Sequence, residues 1–77
     1  MPTKAFILIE TAVSTSSKAY QKLINITDVV TVDRVSGPYD LIAVVSSTDL
    51  NSIGELVTSK IHKIPGIMRT VTCLGLD

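Results

Sequence analysis

Asp28-Val29-Val30-Thr31-Val32-Asp33-Arg34-Val35-Ser36-Gly37-Pro38-Tyr39-Asp40-Leu41-Ile42-Ala43-Val44-Val45-Ser46 is two apolar runs separated by a Gly-Pro break. Valine and isoleucine branch at Cβ, which crowds a helix but packs well on a pleated surface. Asp28–Val35 and Leu41–Ser46 therefore read as strands, and Gly37 with Pro38 marks the turn between them. The stretch is a hairpin. Leu41–Ser46 is apolar on both faces, the pattern of a strand buried on two sides.

Working outward, each strand of the hairpin adjoins a helix. Before it, Ser14 to Ser17 offer N-cap hydroxyls for a helix reaching about Asn25, with Ala19, Tyr20, Leu23 and Ile24 as its apolar stripe. After it, Thr48 or Asp49 caps a second helix whose inner face is Ile53, Leu56, Val57 and Ile61. Gly54 weakens that helix by up to about 1 kcal/mol relative to alanine. Pro65-Gly66 ends it.

At the two ends lie further strands, Lys4–Thr11 and Ile67–Leu76. The first holds Phe6-Ile7-Leu8-Ile9, again apolar on both faces and so central. Strand, capped helix, strand thus occurs twice, with no linker between the halves. Two right-handed crossovers of this kind give the α+β, ferredoxin-like βαββαβ fold: a four-stranded antiparallel sheet with two helices on one face. The first and third strands are central in that fold, as their hydrophobicity requires. Along the fourth strand, Ile67, Arg69, Val71 and Cys73 share one side, and Met68, Thr70, Thr72 and Leu74 the other. The former set is expected beneath the helices. Thr70 and Thr72 are then expected on the bare face, and Cys73 as a small core hydrophobe.

Composition limits the function. Residues 1–77 form one domain, and a chain this short buries only about 60% of its unfolded surface. Yet 45% of the residues are hydrophobic, and the mean hydropathy is +0.43. The surplus, with one sheet face left bare, predicts a homo-oligomer. Seven basic and seven acidic residues cancel, which argues against direct nucleic-acid binding. No apolar run approaches the roughly 20 residues of a membrane helix, and no secretory leader is evident. One cysteine allows neither an internal disulfide nor a CxxC site. A cytoplasmic location is expected.

Catalytic chemistry finds no constellation. His62, the lone histidine, is distant in sequence from Cys73 and reads as a solvated helix-end residue. Glu10, Asp33 and Asp40 are too scattered for a carboxylate pair, and no glycine-rich phosphate loop follows the first strand. No metal or cofactor is implied. The Ser36–Asp40 turn has two readings. It is ordinary turn chemistry, or Tyr39 and Asp40 beside free backbone groups hold a zwitterion, the carboxylate of Asp40 taking an ammonium.

Gly37-Pro38-Tyr39-Asp40 resembles the G-x-[YF]-D signature of the effector-binding (RAM) domain of the Lrp/AsnC family of transcriptional regulators. Pro65-Gly66-Ile67-Met68-Arg69-Thr70-Val71-Thr72 is similar to that family's closing P-G-V-x-x-T-x-T segment. The likeness runs from Lys4 to Leu76. It implies a non-enzymatic amino-acid sensor whose dimers pair sheet to sheet and assemble into rings, with effectors bound between dimers. Carried over by motif, the ligand contacts are Gly37, Tyr39 and Asp40 from the turn and Thr70 and Thr72 from the closing strand. Full-length members carry a helix-turn-helix domain, for which these residues leave no room. The expected partners are therefore an amino-acid effector, further copies of the chain and a full-length regulator of the family. Two alternatives stand beside this: an assembly module without ligand, and a small dimeric α/β-barrel enzyme.

Overall fold

The computed structural model describes residues 2–76. Its elements are β1 (Thr3–Thr11), α1 (Ser16–Leu23), β2 (Val29–Arg34), β3 (Leu41–Ser47), α2 (Leu50–Leu56) and β4 (Ile67–Leu74); a π-helical turn, Val57–Ile61, continues α2. The strands form one antiparallel sheet in the order β2-β3-β1-β4. This is the expected ferredoxin-like arrangement, with the two doubly apolar strands at its centre.

Alternation along the central strands separates two faces. Ala5, Ile7 and Ile9 of β1 and Leu41, Ala43 and Val45 of β3 are fully buried. They meet Ala19 and Leu23 of α1, Ile53 and Leu56 of α2, and Val57 and Ile61 of the π turn in one core. Phe6 and Leu8, with Ile42 and Val44, lie on the opposite, uncovered face and are only half-buried. Burying one such aliphatic side chain stabilises by roughly 1.5–3 kcal/mol. The helix-covered face therefore holds most of the stability of the single chain.

The helix ends show where local chemistry acts. Asp49 accepts the Ser52 amide at Oδ1 (2.8 Å), capping α2 as its residue type predicts. That amide holds the Asp49 carboxyl below its ordinary range. α1 is capped differently: Thr15 occupies the N-cap position, but its hydroxyl donates to the Ala12 carbonyl (2.7 Å). α1 also stops at Leu23, short of Asn25, because the Asn25 and Ile26 amides turn back to the Lys22 and Leu23 carbonyls three residues earlier. Ile24 is left 46% exposed, outside the apolar stripe in which the sequence places it.

The fourth strand reverses the sequence expectation. In an antiparallel ladder, directly paired residues share a face. Thr70 pairs with Ile9, and Thr72 with Ile7, so both hydroxyls lie on the helix-covered side. Arg69 pairs with Glu10, Val71 with Leu8, and Cys73 with Phe6, which places them on the uncovered side. Cys73 is exposed rather than in the core. The cause is a β-bulge: Thr11 pairs with Ile67 and Glu10 with Arg69, leaving Met68 as the extra residue, 65% exposed. Ile67 does pack against the core, but the bulge resets the alternation after it.

Candidate ligand site

The turn and the closing strand meet at the end of β1. The Asp40 amide donates to the Ile9 carbonyl (2.9 Å), and the Asp40 carboxylate accepts the Thr11 amide at Oδ2 (2.8 Å). Thr11 flanks the bulge, where the ladder is interrupted, so Asp40 satisfies a donor there. On the other side of β1, Thr70 is the direct partner of Ile9. Tyr39, Asp40 and Thr70 are thus gathered around Ile9–Thr11, although more than 25 residues of sequence separate the turn from β4.

Two side chains that the sequence does not assign to the site complete this end of the sheet. Arg69 donates from Nη2 to the Tyr39 hydroxyl (3.2 Å), and its guanidinium carbon lies 5.8 Å from the Tyr39 ring centroid. Its Nε is 3.7 Å from Glu10 Oε1. Both contacts are solvent-exposed and contribute little to stability, the usual result for a surface ion pair. The first of them sets the Tyr39 hydroxyl beside β4. His62 follows the π turn, its amide donating to the Val57 carbonyl five residues back (2.8 Å). Its Nε2 lies 2.9 Å from Thr70 Oγ1. The available signal for Arg69 is its position inside the closing motif, next to Thr70. His62 has none, since a π turn is not legible from periodicity.

Gly37 and Thr72 stand further out. Gly37 forms the tip of the turn with φ +148°, a conformation that L side chains rarely adopt, and nothing lies within 4 Å of a Cβ built there. Thr72 is on the same face as Thr70, one pleat repeat (about 7 Å) along the strand. None of the five residues lines the open groove of about 510 Å³ near Asp28, Ser47, Asp49 and Ser52, which lies at the opposite end of β3 from the turn.

Chemically, the arrangement offers a guanidinium, a phenol, two carboxylates, an imidazole and a hydroxyl around one end of the sheet. Arg69, Tyr39 and Glu10 serve the uncovered face, and His62 with Thr70 the helix side. Among the described residues no polar or charged side chain is buried, and no group of three or more His, Cys, Asp or Glu is placed to hold a metal ion. Among the same residues no helix is long and apolar enough to cross a membrane.

Comparison with known proteins agrees with this architecture. The crystal structure of FFRP-DM1 superposes with a TM-score of 0.91 at 34% identity, over 96% of this chain and 99% of that one. The crystal structure of TTHA0845 from Thermus thermophilus gives a TM-score of 0.91 at 31% identity, covering 97% of this chain and 94% of that one. The transcriptional regulator NMB0573 from Neisseria meningitidis, solved as an L-Met complex, shares the fold at 16% identity and a TM-score of 0.86; the match covers 97% of this chain and 50% of that one. No curated protein matches the chain. The family model for the Lrp/AsnC ligand binding domain matches residues 4–77. With a match of that extent on a βαββαβ frame, the chain belongs to the Lrp/AsnC ligand-binding domain family.

Proposed function

We propose that this domain is a non-enzymatic amino-acid sensor that acts as an oligomer, with the effector held at the end of β1 by the turn and the closing strand. The observation that carries the reading is the Arg69–Tyr39 contact, which brings the turn and the closing strand together at this end of the sheet, on its uncovered face. Asp40 supplies a carboxylate for an ammonium, and the Thr70 and Thr72 hydroxyls and turn amides supply donors for a carboxylate. Gly37 keeps the turn backbone open to the ligand. The L-Met complex of the Neisseria regulator supports the ligand class.

The site is open in the single chain, so a second copy is needed to close it. The uncovered sheet face, with Phe6, Leu8, Ile42, Val44 and Val71, supplies the apolar surface for pairing. Ligand at a junction between copies then shifts assembly by its differential affinity for the two states. Residues 1–77 act as one sensing unit whose output passes to partner proteins, a DNA-binding regulator of the same family among them.

The test is a thermal melt of the purified protein against each of the twenty amino acids. A ligand at 100 times its dissociation constant stabilises by about 2.7 kcal/mol, which raises the melting temperature of a domain this size by on the order of 10 °C. A shift confined to one or a few amino acids names the effector class. No shift at millimolar concentrations with any of them refutes the reading.

A further inference from the structure

We infer that His62 and Thr70 together form the anchor for the effector carboxylate, and that this anchor strengthens when His62 takes up a proton. The inference rests on the amino-acid-binding reading above and adds a residue that the family motifs do not contain.

The argument starts from the 2.9 Å contact between His62 Nε2 and Thr70 Oγ1. A hydroxyl has one hydrogen and two lone pairs, and a neutral imidazole has one donor and one acceptor nitrogen. With Nε2 unprotonated, Thr70 spends its hydrogen on the ring and offers a ligand only lone pairs. A carboxylate is repelled by lone pairs. Once the ring is protonated, both its nitrogens are donors, so Nε2–H must donate to Oγ1. The Thr70 hydrogen is then free to turn outward, towards a carboxylate, beside a new positive charge. From the tautomer with Nε2 unprotonated, one proton changes both the charge of the site and the direction of its hydroxyl; from the Nε2–H tautomer, which already donates to Oγ1, it changes the charge alone.

The fold holds the pair in place from both sides. The His62 amide is fixed to Val57 by the π turn, and Thr70 is fixed by its pairing with Ile9. Lys60 and Lys63 flank His62 on its own segment. Of the neighbouring strands, β3 carries no charged residue. On β4 and β1, Arg69 and Glu10 project to the opposite face of the sheet and engage each other. In β1, Lys4 lies at the far end. The loop from Ala12 to Thr15 that passes Gly66 is uncharged. Glu55 on α2 and Lys18 and Lys22 on α1 are exposed, and Asp40, at the same end of β1, accepts the Thr11 amide. His62, the only histidine in the chain, is the imidazole in contact with Thr70.

The experiment measures binding of each of the twenty amino acids by the wild-type protein and by His62→Gln from about pH 8 to about pH 5.5, the span in which an imidazole titrates. The single imidazole is followed by NMR in the same samples. We expect binding to tighten by about fivefold or more on acidification, the lower end of the range typical of a coupling between two bound species. We also expect the midpoint of the ring to rise when an amino acid is bound, as linkage requires. His62→Gln should bind with no such pH dependence. Amino-acid binding that is independent of pH, with an unmoved imidazole, overturns the inference and leaves the sensor reading intact. Absence of binding by any amino acid at every pH overturns the sensor reading and this inference with it.

Discussion

Asp40 Oδ2 accepts the Thr11 amide at 2.8 Å, joining the hairpin turn to the bulged end of β1 across 29 residues of sequence. The same carboxylate is the group proposed to take an effector ammonium, so stability and binding meet in one side chain. A substitution must separate them.

Asp40→Ala removes both functions, and the orphaned Thr11 amide should cost about 1–3 kcal/mol of stability. Asp40→Asn keeps an acceptor oxygen for Thr11 but loses the negative charge. We expect the Asp40→Asn protein to melt close to wild type and to bind its amino acid at least about tenfold more weakly, as measured by calorimetry. Equal affinity in a folded Asp40→Asn protein would remove Asp40 from the site and leave it as a turn anchor.

Gly66 tests the packing behind the closing strand. Its φ is +96°, and a Cβ there would lie 2.6 Å from Thr15 Oγ1 and 2.8 Å from Thr15 Cβ. Its carbonyl also accepts the Ala12 amide (2.7 Å), so the backbone is tied in place and cannot swing away. Gly66→Ala should therefore destabilise by roughly 1–3 kcal/mol, through backbone strain and clash together. Urea denaturation checks this. Adding Thr15→Ala should recover only the clash, since the strained φ persists.

Much of the fold is legible in the sequence because the deciding signals are strong and local. The doubly apolar runs Phe6–Ile9 and Leu41–Val45 identify the central strands, and Thr48-Asp49 marks the start of α2, with Asp49 the residue that caps it. The faces of β4 are not legible, because one bulge, at Met68, inverts every residue after it and nothing in the sequence announces it. Hydrophobicity cannot correct the error, since both faces of an edge strand are partly exposed. Of the site, the turn and Thr70 are named by motif. Arg69 and His62 join it only because tertiary structure places them against Tyr39 and Thr70.

Gly54 offers a stabilising change remote from the site. It lies inside α2, is exposed, and has nothing within 4 Å of where a Cβ would stand. Alanine there gains helix propensity without a clash, by up to about 1 kcal/mol. The expected rise in melting temperature is a few degrees, with amino-acid binding unchanged. A fall would mean that the helix needs the glycine for a contact between copies.

Asp49 gives stability a predictable dependence on acid. The Ser52 amide holds its carboxyl below the ordinary value of 3.8. A depressed carboxylate contributes stability that is fully present above the unfolded-state value and fades as pH falls through the folded one. The cap should therefore be intact at neutral pH and weaken below about pH 4. Asp49→Asn retains an acceptor for the Ser52 amide and cannot titrate. Comparing the two proteins by thermal melts over acid pH should show a gap that narrows below that point. A constant gap would assign the acid dependence to other carboxylates.

The uncovered sheet face makes the last prediction. Phe6, Leu8, Ile42 and Val44 lie side by side there, extended by Val71 and Cys73 on β4. This contiguous apolar surface is the one proposed for pairing of copies. Leu8 is at its middle, paired with Ile42 on one side and Val71 on the other. Leu8→Glu would place one unpaired charge in the centre of each protomer's contact, and two facing one another in a symmetric pair. Because Leu8 is not in the helix-covered core, the monomer should still fold. Sedimentation should then show wild-type oligomers and Leu8→Glu monomers with native circular dichroism. Amino-acid binding should be lost together with assembly if the site is completed by a second copy. Binding retained by a folded Leu8→Glu monomer would show instead that the end of β1 suffices, and that the sheet face serves assembly alone.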